Sequence, residues 1–172
     1  MTVPSLTLLS DDDPHSLRRR ARSLATEDVV SRSYADPFAV VASWTREVGV
    51  DIVRPVDDDR FSLDDPDFRA LIMSPEDCSA RGSRSTVSAW DIWSSKEAAA
   101  KASGDPLGYV PAQHFSPCLW PEGRLGPWRA LRIAGLPDEL TGWVVFLDEV
   151  AGTSSAMAAL RAIPKPHDRD DV

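Results

Sequence analysis

Within the stretch DIWSSKEAAAKASGDPLG (residues 91–108), Trp93, Glu97 and Lys101 recur at every fourth position. On a helix of 3.6 residues per turn these positions advance only about 40° per step, so they share one stripe. The stripe holds an apolar anchor, an anion and a cation. Taken alone, Glu97 and Lys101 form an i,i+4 ion pair worth roughly 0.2–0.5 kcal/mol, which many surface helices carry. Ala98, Ala99, Ala100 and Ala102 surround the stripe. Such small residues let a helix back closely against another element.

A second group with chemical potential is Asp51, flanked by Val50 and Ile52 in the apolar run EVGVDIVRP (47–55). A carboxylate in an apolar strand is costly unless it is hydrogen-bonded, paired or bound to a cation. A place near the strand end with a hydrogen-bond donor would satisfy it. So would a hard dication such as Mg²⁺, which takes one or two carboxylates completed by water and substrate phosphates. Asp51 and Glu97 supply that pair of carboxylates if the strand lies beside the helix.

The elements that must position these groups are readable from caps and periodicity. Asp13-Pro14 starts a helix through HSLRRRARSLA, with Arg18, Arg19, Arg20 and Arg22 opposite Leu17 and Leu24. That Arg run is either a solvated helix face or a set of phosphate contacts. PFAVVAS (37–43) and EVGVDIVRP (47–55) are Val-rich, separated by a short WTR step, and read as a hairpin ended by Pro55. Asp65-Pro66 and Ser74-Pro75 start two short helices, the second with Asp77 placed to reach back to its cap. Residues 80–85 read as a loop. A long helix follows from about Thr86 to Ser103, and Gly104 stands where a left-handed C-cap belongs. Residues 105–127 hold five of the 14 prolines and read as an irregular crossing. Two strands are predicted at 127–135 and 141–150, then a final helix and a disordered tail. The order suggests α+β.

The chain of 172 residues is about one domain long, and 42% of it is hydrophobic, enough for a packed core. A net charge of −8 argues against broad nucleic-acid binding without excluding a local cationic pocket. Cys78 and Cys118 form neither a disulfide framework nor a metal-type spacing. No run reaches the roughly 20 apolar residues of a membrane span, and MTVPSLTLLSDDDP makes a poor signal peptide. The expectation is a soluble, cytoplasmic protein with no membrane or nucleic-acid partner.

VGVDIVRP, followed some forty residues later by WSSKEAAAKASGDPLG, resembles the 4′-phosphopantetheinyl transferases. Their signatures are a strand G-[VI]-D and a helix W-x-x-K-E-A-x-x-K-x-x-G. Gly49, Val50 and Asp51 match the first; Trp93, Lys96, Glu97, Ala98, Lys101 and Gly104 match the second. The resemblance spans about residues 30–150. It implies a fold in which a short antiparallel sheet packs on a long helix, with a reduced N-terminal half. The implied organisation is a leader and Arg-rich helix at 1–29, the transferase-like domain at 30–155, and a helix end and tail at 156–172.

The resemblance also implies a reaction: transfer of the 4′-phosphopantetheine arm of coenzyme A to a serine of an apo acyl or peptidyl carrier protein, with Mg²⁺. Asp51 and Glu97 would then hold the metal, and Glu97 and Lys101 would carry the catalysis. Lys101, Lys96, Tyr34, Ser33, Arg18 and Arg22 are the implied coenzyme contacts. The resemblance also departs in places: Val53 stands where many members have a second acid, and Tyr34 stands where a His often holds coenzyme phosphate. Some thirty residues precede Tyr34, so a homo-oligomer is one way to complete the site. A catalytically impaired relative that binds a carrier protein or coenzyme A is the alternative reading.

Overall fold

The computed structural model describes residues 2–24, 28–82, 86–104 and 111–148. The expected C-terminal helix and tail lie outside the described residues. Among the described residues, seven strands and four α-helices follow in the order β1 (Ser5–Ser10), α1 (Pro14–Ser23), β2 (Val29–Ala35), β3 (Phe38–Trp44), β4 (Val48–Val53), α2 (Pro66–Ile72), α3 (Pro75–Arg81), α4 (Ala89–Ser103), β5 (Arg124–Leu125), β6 (Trp128–Arg132) and β7 (Thr141–Leu147). Short 3₁₀ turns at Pro111–Gln113, Pro117–Leu119 and Pro121–Gly123 lie in the described part of the proline-rich crossing between α4 and β5. The fold is α+β, as expected.

The strands form two antiparallel sheets, ordered β1-β3-β2 and β4-β7-β6-β5. In the first, β2 and β3 close through Asp36-Pro37, with Ala35 paired to Phe38. Alternation then sends Val40, Ala42 and Trp44 to one face and Ala39 and Val41 to the other. Leu17 and Ala21, the apolar stripe of α1, cover the second face. The first face joins Val48, Val50 and Ile52 of β4 and Val144 and Phe146 of β7 in the main core. The opposite face of the second sheet receives α4, whose Ala98, Ala99 and Ala102 pack with Trp128, Ala130 and Val145.

Two expectations are corrected here. Residues 5–10, expected within a leader, form a strand along the edge of β3. The 37–43 and 47–55 runs do not form a hairpin with each other. β3 already pairs with β1 on one edge and β2 on the other, so it has no edge left for β4. The Thr45-Arg46-Glu47 step instead carries the chain into the second sheet, where Val48–Val53 pairs with Val53-facing Thr141 through Val48-facing Phe146 of β7. On its open side β4 is tied to β2 by side chains: the Val50 and Ile52 amides donate to the Ser31 and Ser33 hydroxyls.

The predicted caps hold. Asp13, Asp65 and Ser74 accept from the first-turn amides of α1, α2 and α3, each with Pro in the first turn. α3 runs on through Arg81, so the 80–85 loop begins later than predicted. α4 starts at Ala89, three residues after the expected Thr86, behind a Ser88/Asp91 capping box. It ends at Gly104 in a left-handed conformation with φ 70°.

Candidate functional site

β4 presents alternate residues to the two sides of its sheet, so Gly49 and Asp51 both face α4 while Val48, Val50 and Ile52 face the main core. Gly49 lies directly against the helix backbone. A Cβ there would overlap the Ala98 carbonyl oxygen and the Ala102 amide nitrogen and stand 3.0 Å from the Lys101 carbonyl carbon. The glycine and the alanine-rich helix face are one device, and together they let α4 lie with its backbone directly on β4. Ser94 fixes the register by donating to the Asp51 carbonyl at 3.0 Å.

That approach gathers Asp51, Glu97 and Lys101. Lys101 Nζ lies 2.7 Å from Asp51 Oδ1 and donates to the Val50 carbonyl at 3.2 Å. The Ser33 hydroxyl donates to the same Asp51 oxygen at 2.9 Å. Asp51 is buried while Lys101 and Glu97 are partly open. Glu97 feels both neighbours: burial raises its carboxyl above the usual range, the Asp51 charge raises it further, and Lys101 pulls it back down. The i,i+4 relation of Glu97 and Lys101 is therefore part of a three-charge cluster with Asp51.

The remaining candidates divide. Ser33 joins the cluster, but Tyr34, its neighbour along β2, turns to the α1 side of the sheet and packs with Leu17 and Ala21. There the Arg18 guanidinium sits 5.4 Å from the Tyr34 ring centre and 3.6 Å from Asp36. Arg22 is exposed on the same helix. Arg18, Arg22 and Tyr34 thus form a group on the far face of the first sheet from Asp51.

Lys96 departs furthest from expectation. Its side chain is 0% exposed, 2.7 Å from Asp77 and donating to the Ile72 carbonyl at 2.7 Å. Asp77 also accepts the Ser74 and Ser116 amides. Burial pushes the Lys96 ammonium below its ordinary range although Asp77 opposes the shift. An ammonium enclosed in this way is not placed to touch a coenzyme. It ties α4 to the α2–α3 turn, and the sequence signal for it was only the capping box at Asp77. Trp93 is partly buried and packs against the cluster of Phe68, Ile72 and Leu119. Asp91, at the start of α4, accepts from Thr141 and Trp143 of β7 and pins the other end of the helix to the sheet.

Asp51 and Glu97, on separate elements beside Lys101, are of the ligand type that a hard dication takes together with water and phosphate oxygens. Among the described residues no group of three or more His, Cys, Asp or Glu side chains is placed to share a metal ion. Nor is any helix among them long and apolar enough to cross a membrane.

The site is thus an Asp/Glu/Lys cluster framed by a glycine-packed strand and helix in an α+β fold. Residues 47–129, which run from the start of β4 into β6, match the family model of the 4′-phosphopantetheinyl transferase superfamily, which supports membership of that superfamily. No curated protein matches the chain.

Proposed function

We propose that this protein transfers the 4′-phosphopantetheine group of coenzyme A to a serine of an apo carrier protein in a Mg²⁺-dependent reaction. The observation that carries this reading is the convergence of Asp51, Glu97 and Lys101 where Gly49 lets β4 meet α4. All three belong to the stretch that matches the superfamily.

Asp51 and Glu97 would hold the metal. Bound there, Mg²⁺ supplies positive charge against a diphosphate, which eases cleavage of the phosphoanhydride. Lys101 is already in the cluster, its ammonium held by Asp51 and the Val50 carbonyl and partly open. It would turn from Asp51 to the phosphate that leaves as 3′,5′-ADP. Glu97, with its proton affinity raised by burial and by Asp51, is suited to accept the carrier serine's proton as its oxygen attacks phosphorus. The new bond is serine Oγ to phosphorus, and the bond broken is the bridge of the diphosphate. Ser33 and Ser94 hold Asp51 and its backbone in place from β2 and α4.

Intact mass measurement of an apo carrier protein incubated with coenzyme A and Mg²⁺ tests the proposal. The expected result is a gain of one phosphopantetheine, lost in Glu97→Gln. Unchanged masses across several carriers would overturn it. Val53, in the place of a frequent second acid, favours a second reading as a carrier-protein or coenzyme A binding module. Calorimetric coenzyme binding without any transfer would support that instead.

A further inference from the structure

β1 is the outer strand of its sheet, and among the described residues only β3 pairs with it. Proteins commonly protect such an edge with a charge, a proline or a bulge, because its open amides and carbonyls template pairing with another chain. Ser5–Ser10, SLTLLS, has none of these within the strand. Leu6 and Leu8 lie opposite Ala42 and Val40, on the core side of the sheet, yet are 39% and 42% exposed. Two leucines are thus half-solvated beside an unguarded backbone edge.

We infer that β1 is a self-association edge, taking β1 of a second copy of this chain as an antiparallel neighbour and doubling the three-stranded sheet. The choice of a second copy over another protein rests on self-complementarity. A two-fold axis through Thr7, normal to the sheet, sets Thr7 against Thr7 and Leu6 against Leu8 of the second copy. All four leucines then meet on the core side, where each pair is now exposed. The same register places Asp11 opposite Val3 of the second copy. The Asp11-Asp12-Asp13 runs therefore end at opposite extremities and do not repel. Asp11 is further neutralised by Arg20 at 3.1 Å, and Arg20 also takes the Ser10 carbonyl, which ends the open edge there. A shift by one residue would set the leucine face of one copy against the threonine face of the other, so side-chain parity excludes it. A neutral strand offers nothing to select an acidic or a basic partner, whereas its own sequence fits it.

A single strand edge is small beside the roughly 1,200–2,000 Å² of a stable interface, so the dimer is reversible and concentration-dependent. This inference stands apart from the transferase reading and does not need it.

Cysteine placement tests the register. Directly opposed Cα atoms in an antiparallel pair are about 4.5–5.5 Å apart, within the span of a disulfide. Thr7→Cys is made in a Cys78→Ser background, because Cys78 is exposed. Under mild oxidation of the full chain it should give a covalent dimer at least about tenfold faster than Glu139→Cys, an exposed control. Sedimentation of the parent chain should show a dimer that forms on concentration, and Leu8→Lys should return it to monomer with its circular dichroism unchanged. A chain that stays monomeric at every concentration overturns the inference. So does a dimer in which Thr7→Cys cross-links no faster than the control.

Discussion

Gly49 and Ala98 meet backbone to backbone: a methyl group on the first would overlap the carbonyl oxygen of the second. This contact sets the distance between β4 and α4, and through it the distance between Asp51 on the strand and Glu97 and Lys101 on the helix. The proposed chemistry rests on a packing contact between two residues that carry no functional group.

Gly49→Ala should therefore damage both fold and site. The new Cβ is fixed to the strand backbone and the atoms it meets are helix backbone, so neither can swing away and the strand and helix must part. Overpacking of this kind costs about 1–3 kcal/mol, and the urea midpoint should fall accordingly. Carrier modification should fall further than the unfolded fraction explains, since Asp51 moves away from Lys101. A variant of parental stability would show that the close approach is not real.

Lys101 holds the oxygen of Asp51 that a metal would want. Lys101→Met should relieve that competition and tighten Mn²⁺ binding in the absence of coenzyme by roughly 2–5-fold, the scale of a partly solvated ion pair. Electron paramagnetic resonance of free Mn²⁺ reads this directly. The same variant should lose transfer activity. Weaker Mn²⁺ binding in Lys101→Met would mean that Asp51 and Lys101 do not compete in this way.

Glu97 is strained electrostatically, and removing its charge should stabilise the protein while ending the chemistry. Its carboxyl is raised above the usual 4.5 by burial first and by Asp51 second. A group raised in the folded state favours folding when protonated. That contribution is fully present below the unfolded value and lost as pH rises through the folded one. Glu97→Gln has no such loss. Its melting temperature should match the parent's in acid and exceed it increasingly above about pH 4.5, measured without divalent ions. Parallel curves would contradict the shift.

Much of this arrangement was legible because it is written in local signals. The α4 stripe follows from a four-residue spacing, its end from Gly104, and the starts of α1, α2 and α3 from an acid or serine before proline. Asp51 stood out because a charge interrupts an apolar run. What escaped was decided at long range. Whether β4 pairs with β3, next in the chain, or with β7, some ninety residues on, depends on which edges are already taken. β1 escaped because SLTLLS has leucines on both faces and no alternation, followed at once by three aspartates. Lys96 was misplaced for a similar reason: it neighbours Glu97 in sequence, but one helical step of about 100° turns it into the protein, toward an Asp77 already read as reaching back to the Ser74 cap.

Lys96→Met separates the two roles that this lysine could have. As a buried anchor, its loss strands the Asp77 carboxylate without its cation, at a cost of about 3–5 kcal/mol. Asp77→Asn in the same chain should recover part of that loss, giving a double-mutant coupling of at least about 1 kcal/mol. As a coenzyme contact it would raise the KM for coenzyme A and leave stability alone. Denaturation of the two single variants and the double variant decides between them.

Cys118 provides a separate check on the packing beneath α4. Burial, against a hydrogen bond from Ser95, pushes its thiol up from 9.0 to about 12. The unfolded chain therefore releases the thiol proton near pH 9, while the folded chain keeps it until about pH 12. Between those limits the folded state binds more protons, so stability falls as pH rises, by up to about 1.4 kcal/mol per pH unit. A serine in this place keeps a hydroxyl toward Ser95 and does not titrate in the range. Urea unfolding of Cys118→Ser should thus give a flatter stability profile above pH 9, its deficit against the parent shrinking with each step. Lys96, held low by burial, pushes the alkaline profile the other way, but it is present in both proteins and largely cancels from the comparison. If the two profiles keep a constant separation past pH 9, the thiol is open to solvent and the contact between α4 and the crossing at Pro117–Leu119 is looser than described.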